Sequence, residues 1–224
     1  MADLAIYDMD RTITRTGTYT PFLIHAAKAL NPWRLALAAF VPFTMAAYGL
    51  KLIDRRRLKE LNQRLLIGGG VSRAKLRPAV ETFADFICKT NIHPGAWRQI
   101  AEDRAAGRRL VLATASYRFY VEAIAKRLDF DDVIATGSIT GLDDIIRAKI
   151  DGENNYGPAK LRLIQAWMEQ HKIARDVVKV RFYSDHVSDE PVLAWADTAI
   201  AVNPSRGLRA LAAKRGWEIV DWGF

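Results

Sequence analysis

The sequence predicts an α/β fold, a doubly wound parallel sheet with an inserted all-helical cap domain. Three observations predict it. Short apolar runs end abruptly in polar residues, helical stretches separate those runs, and one long helical block interrupts the alternation after the first run.

Leu4-Ala5-Ile6-Tyr7 is short and wholly apolar, as a strand buried on both faces must be, and Asp8 ends it. Residues 20–88 read as mostly helical, with no convincing strand. A helix is expected over 96–106, closed by Gly107. Arg109 to Thr114 reads as the second strand, with a helix near 117–128 after it. Asp132 to Thr136 is strand-like, and Gly137, Gly141 and Gly152 punctuate a stretch suited to a hairpin. A helix over 158–171 precedes a strand from Val178 to Tyr183. Helices near 189–196 and 205–215 flank a strand from Thr198 to Val202, and Trp217 to Val220 reads as an edge strand. Strands that alternate with helices pair in parallel, and in such a Rossmann-like sheet ligands bind outside the carboxyl ends of the strands. Asp8, Thr114 and Asp185 all stand where a strand stops. The core is expected over 1–15 and 93–224, and the cap over 16–92.

With 224 residues, half of them hydrophobic (50%) and 26% charged, the chain has ordinary globular usage and enough length for a real core. That composition argues against disorder and low-complexity architecture. A single cysteine, Cys88, excludes an internal disulfide and speaks for a reducing compartment. Met1-Ala2-Asp3-Leu4 puts no basic region before its apolar run, so no signal peptide is expected and the location expected is cytoplasmic. A net charge of +8 favours an anionic partner, whether phosphate, acidic membrane or nucleic acid, or it reflects a solvated basic surface.

Asp8-Met9-Asp10-Arg11-Thr12 sets two carboxylates two residues apart at a strand end, and Asp185-His186-Val187-Ser188-Asp189 sets two more at another. Four carboxylates in one crevice repel each other. A divalent cation offsets that repulsion, and an all-oxygen donor set suits Mg²⁺. A phosphate in the same crevice needs cationic help, which Lys160 at a helix start can supply. Thr114, Ala115 and Ser116, at a strand-to-helix turn, bring hydroxyls and N–H groups suited to phosphate oxygens. Each signal alone has a plainer reading: a turn, a cap, a solvated lysine. Their order and spacing together carry the weight.

With these motifs in this order, the chain resembles the haloacid dehalogenase superfamily of phosphohydrolases. Within it, the chain is similar to the phosphoserine-phosphatase-like branch, whose cap is inserted after the first motif. The likeness covers the core and extends to Ala201-Val202-Asn203-Pro204 and Arg215-Gly216-Trp217. It implies that Asp8 is the nucleophile, forming an aspartyl-phosphate, and that Asp10 is the general acid and then the base. It implies a Mg²⁺ site of Asp8, Asp10 through its backbone carbonyl, Asp185, and Asp189 directly or through water. Thr114 would hold a phosphoryl oxygen, Lys160 would balance charge in the in-line transition state, and Thr12, Ala115 and Ser116 would surround the substrate. A mobile cap would close over the reaction.

The cap bears on the substrate. Phosphoserine phosphatases carry an acidic residue soon after the first motif, whereas Ile13 to Thr18 holds none here and the next acid is Asp54. No carboxylate-binding arginine motif is recognisable, although Arg55, Arg56, Arg57 and Arg64 are present. Leu35 to Leu50 is sixteen residues without a charge. Lys28 and Arg34 precede it, and Lys51, Arg55, Arg56, Arg57 and Lys59 follow, against Asp54 and Glu60. With Pro42 and Gly49 inside it, the run is too short to span a bilayer, which takes about 20 apolar residues. It either packs inside the cap or meets an anionic membrane peripherally, at its inner face. The sequence therefore points to a phosphomonoester hydrolase acting on a small-molecule or lipid phosphate, a lysophospholipid or headgroup phosphate being the sharper expectation. Phosphoserine is the runner-up. A non-catalytic protein that binds anionic membrane or nucleic acid on a hydrolase core is the rival, but every required catalytic position is filled and nucleic acid is not expected. Gly68-Gly69-Gly70 is expected to be a hinge or helix stop, and His25, His93 and His171 to be structural.

Overall fold

A computed structural model describes residues 2–223. Leu4–Tyr7 (β1) is buried along its whole length, as its unbroken apolar run requires. Met9–Ile13 then coil tightly, with Arg11 at φ 67°. The inserted cap follows: Tyr19–Leu30 (α1), a 3-10 run Pro32–Phe40, Val41–Gly49 (α2) and Arg55–Leu66 (α3). A short strand, Gly70–Ser72 (β2), precedes Arg73–Thr90 (α4). Two of these helices start on side-chain caps: Asp54 accepts from the Arg57 N–H at 2.7 Å, and Ser72 from the Lys75 N–H at 3.3 Å. Thr14 and Ile92 form an isolated antiparallel bridge, so the two ends of the insertion lie side by side.

The core resumes with Pro94–Ala105 (α5), Arg109–Tyr117 (β3), Arg118–Arg127 (α6), Asp132–Thr140 (β4) and Ile145–Asp151 (β5). Pro158–Gln170 (α7), Val180–Ser184 (β6), Glu190–Trp195 (α8) and Thr198–Val202 (β7) come next. Arg206–Arg215 (α9) ends on Gly216, whose φ of 68° is the left-handed stop a glycine takes without penalty, and Glu218–Val220 (β8) closes the sheet.

The described strands form one eight-stranded sheet in the order β2-β5-β4-β3-β1-β6-β7-β8. Pairing is parallel from β4 through β8, as alternation with helices demands. The glycine-punctuated stretch is the expected hairpin: β5 returns antiparallel to β4. β1 lies between β3 and β6, so its carboxyl end opens onto the crevice of a parallel sheet. Its side chains alternate between two cores, Ala5 and Tyr7 on the cap-facing side, Leu4 and Ile6 on the other.

The strand-free reading of 20–88 is corrected at β2, which adds antiparallel to the sheet edge at β5. Gly70 permits this approach, because a Cβ there would stand 2.7 Å from Ile145 Cγ2. β3 and β4 also run past their expected ends, to Tyr117 and Thr140. No described helix is long and apolar enough to cross a membrane.

A buried polar knot fixes α5 under the sheet. The Tyr7 and Tyr183 hydroxyls both donate to Asp103 Oδ2, at 2.5 and 2.8 Å, and their rings stack 4.2 Å apart. Arg108 reaches the other Asp103 oxygen at 3.0 Å. Removing the carboxylate strands two buried hydroxyls and a cation. Asp103→Ala is expected to cost about 3 kcal/mol in urea unfolding. Arg162→Ala, which breaks the exposed pair with Glu153, is expected to leave the midpoint unmoved.

Candidate active site

Parallel pairing of Tyr7 with Tyr183 brings the residues after both strands together. The Asp8 N–H donates to the Tyr183 carbonyl at 2.9 Å, which sets Asp8 beside Asp185. Between them stands Thr12, whose Oγ1 lies 3.3 Å from Asp8 Oδ2 and 3.4 Å from Asp185 Oδ1 and accepts from the Asp185 N–H at 3.0 Å. Lys160 enters from the first turn of α7. Its Nζ donates to Asp8 Oδ1 at 2.8 Å and to Asp189 Oδ2 at 2.7 Å, and Ser184 Oγ donates to the same Asp189 oxygen at 2.8 Å. Gly157, at φ 59° and ψ −135°, makes the turn that aims this helix at the site, a conformation that disfavours a side chain.

Burial governs the electrostatics. It pushes the Asp8 carboxyl up to about 8, with Lys160 pulling down and Asp189 and Asp185 repelling. It pushes Asp185 up to about 6, with Asp189 adding to the rise and Lys160 opposing it. Burial works against the charge on Lys160, but Asp189 and Asp8 overcome it and hold the ammonium above its ordinary value. The site thus has more buried negative charge than one lysine balances. Among the described residues no three carboxylates, imidazoles or thiols form a ready cage for an ion. The donors nevertheless fit Mg²⁺, which takes one or two carboxylates and keeps several waters. Asp189 Oδ1 is buried without a hydrogen-bond partner, as an oxygen awaiting a water or an ion would be.

Asp10 sits at the seam between core and cap. Its Oδ1 accepts from the N–H and hydroxyl of Thr18, at 2.6 and 2.8 Å, and its Oδ2 from Ser116 Oγ at 2.6 Å. A cavity of about 520 Å³ opens above these groups, and its lining includes Asp8, Asp10, Thr114, Ala115, Lys160, Asp185 and Asp189. Thr12 and Ser116 are not part of that lining. Thr12 is spent on Asp8 and Asp185, while Ser116 gives its hydroxyl to Asp10 and its N–H to Thr114 Oγ1 at 3.1 Å. In this arrangement Thr12 supports the two carboxylates, and Ser116 supports Asp10 and the turn at Thr114.

The sequence reading missed the cap's contribution. Arg55, on α3, lines the cavity and lies 3.9 Å over the ring of Tyr156. Lys59, one turn on, reaches the core: its Nζ donates to the Ala115 carbonyl at 2.6 Å and to Asn154 Oδ1 at 2.9 Å, 4.3 Å over the ring of Tyr117. Their i,i+4 spacing on one face was the available signal, but it reads equally well as a solvated face. Arg56 donates to the Ile150 and Gly152 carbonyls at 2.7 and 2.9 Å, and Glu60 accepts from the Ile150 N–H at 3.0 Å, so α3 lies clamped along β5.

Burial, with Arg55 adding to it and Asp10 opposing, lowers Lys59 from 10.5 to about 7. Between those values the unfolded chain holds a proton that the folded one lacks, so Lys59 makes stability rise with pH across that window. Lys59→Met is expected to flatten the rise in urea midpoint between pH 7 and 9. An equal rise in both proteins would refute the assignment.

The family model for haloacid dehalogenase-like hydrolases matches residues 5–194. The chain is 29% identical over 220 residues to the inhibition of morphological differentiation protein of Streptomyces azureus, covering 97% of this chain and 78% of that one. It is 30% identical over 153 residues to phosphoserine phosphatase SerB1 of Mycobacterium tuberculosis, covering 68% of this chain and 49% of that one, so it spans about half that relative's length. A solved protein of unknown function from Bordetella pertussis Tohama I shares the fold, with a TM-score of 0.87 and 24% identity over 99% of each chain. The family match runs from within β1 to within α8, across both carboxylate pairs and Lys160. The chain belongs to the haloacid dehalogenase-like hydrolases, as a phosphohydrolase with a helical cap inserted after its first strand.

Proposed function

We propose that the protein is a Mg²⁺-dependent phosphatase that hydrolyses a small phosphomonoester through an aspartyl-phosphate on Asp8. The observation that carries this reading is the buried Lys160 ammonium bridging Asp8 and Asp189 at the cavity that Thr114 and Asp10 also line. Asp8, Asp185 and the Asp10 carbonyl would hold Mg²⁺, with Asp189 bound through water. Bound there, the ion would neutralise charge on the carboxylates and the phosphoryl oxygens.

An Asp8 carboxylate oxygen attacks phosphorus in line, and the bond from phosphorus to the substrate oxygen breaks. Asp10 gives that oxygen its proton. Water then attacks the phosphorus of the aspartyl-phosphate, its proton passes to Asp10, and the bond to Asp8 breaks. Inorganic phosphate leaves with both carboxyl groups restored. Lys160 stabilises charge on the transferring group, and Thr114 Oγ1 faces a phosphoryl oxygen. Asp10 is held by Thr18 and Ser116, so its proton transfer depends on both walls of the seam.

For the substrate, an amino-acid phosphomonoester with phosphoserine as first candidate has the support of the mycobacterial relative's name. Arg55 at the cavity wall offers a cation to a substrate carboxylate. A lysophospholipid or headgroup phosphate is the second reading, favoured by one observation: the cap exposes apolar side chains, Phe43 and Leu52 being 70% and 74% exposed.

Phosphate release with Mg²⁺ from phosphoserine and from lysophosphatidate, side by side, decides between them. Faster release from phosphoserine supports the first reading, and faster release from lysophosphatidate the second. Asp8→Asn is expected to lower turnover by about 10³-fold or more with the fold intact, and a near-wild-type rate would remove Asp8 as nucleophile. Asp185→Asn is expected to raise the Mg²⁺ concentration for half-maximal rate by about tenfold or more. An unchanged titration would take Asp185 out of the metal site.

A further inference from the structure

The uncharged run Leu35 to Leu50 folds into the 3-10 run and α2, and neither buries a residue fully. Leu35, Ala38 and Val41 pack inward, partly buried against the cap-side core. The other side is no less apolar. Trp33, Phe40, Phe43, Met45, Leu50 and Leu52 are all more than half exposed, and the Phe40 and Phe43 rings lie 6.3 Å apart. A helical segment apolar on both sides belongs in a core or against lipid, and an exposed apolar patch marks an interaction surface.

Charge selects the occupant. No acidic residue occurs from Arg11 to Ile53. Lys51, Arg55 and Arg57 share a groove of about 790 Å³ with Tyr48, Leu52 and one acid, Asp54, and Arg57 also reaches Glu60 at 3.7 Å, so the cations outnumber the groove's acid three to one. A second copy of the chain would set these cations against their equals. An anionic bilayer offers both partners at once, headgroups for the cations and acyl chains for the rings.

We propose that the Pro32–Leu52 face of the cap docks the protein peripherally on anionic bilayers, with the aromatic side chains inserted and Lys51 and Arg57 on the headgroups. Arg55 and Tyr156 line both this groove and the catalytic cavity, so docking sets the mouth of the cavity at the lipid surface. The proposal deepens the second substrate reading, but its test reads binding and not turnover.

The test is flotation of the full chain with phosphatidylglycerol–phosphatidylcholine vesicles and with pure phosphatidylcholine vesicles. The wild type is expected to float with the anionic vesicles and far less with the neutral ones, and to be released by salt. The double variant Phe40→Ser and Phe43→Ser is expected to lose about tenfold in bound fraction at an unchanged urea midpoint, and Lys51→Glu to lose part of it. Wild-type protein that stays unbound to anionic vesicles at low salt overturns the proposal, as does a folded double variant that floats like the wild type. A vesicle-independent dimer that the double variant abolishes assigns the face to a second copy and also overturns it. Asp8→Asn is expected to float like the wild type. Failure to float would therefore leave the phosphatase reading standing, and loss of turnover would leave the docking surface standing.

Discussion

The ammonium of Lys160 is the constraint on which the site depends. It is 2% exposed, and it holds Asp8 and Asp189 on two of its three donors. Three buried carboxylates near one another are tenable only with a cation among them, since breaking a buried pair leaves a charge with neither water nor partner. Much of the architecture serves that placement. β1 and β6 must be neighbours in parallel to bring Asp8 and Asp185 together, and α7 must start where Gly157 turns it. The Asp103 knot holds Tyr7 and Tyr183, the residues next to and two before those carboxylates, from beneath.

The cap is joined to that chemistry through a few polar contacts at its base. Lys59 bonds the carbonyl of Ala115, the residue after Thr114, and Thr136 Oγ1 donates to the same carbonyl at 2.7 Å. The end of β3 that would face a phosphoryl group is thus held from the cap and from β4 together. Asp10 receives donors from both sides in the same way, Thr18 from the cap side and Ser116 from the core. The cap's polar contacts to the site lie at this seam, while its Pro32–Leu52 segment exposes apolar side chains.

Legibility in the sequence followed the range of the interactions. β1 and the two carboxylate pairs were readable because a buried parallel strand needs an unbroken apolar run and the candidate catalytic groups stand where such strands end. The later strands and helices were readable for the same local reason, to within a few residues. Asp103 was not, because Glu102-Asp103-Arg104 looks like any wet helix face and its partner Tyr7 lies 96 positions away. Lys59 and Arg55 sit in Arg55-Arg56-Arg57-Leu58-Lys59-Glu60, where the pattern cannot say whether water or another part of the chain meets the charges. β2 follows glycines and is too short to show alternation. In Leu35 to Leu50 the absence of polar residues removed the contrast that tells an inner face from an outer one.

The cap is tied down at three places: the Thr14–Ile92 bridge, α3 along β5, and β2 paired onto the sheet edge. Opening the cap as one rigid body would have to break the backbone pairing of β2 with β5. Beside that pairing, the Arg55 guanidinium stacked on Tyr156 forms part of the cavity wall. The wall of the cavity is thus shared between cap and core, so a change in the packing of α3 reaches the site through Arg55 and Lys59.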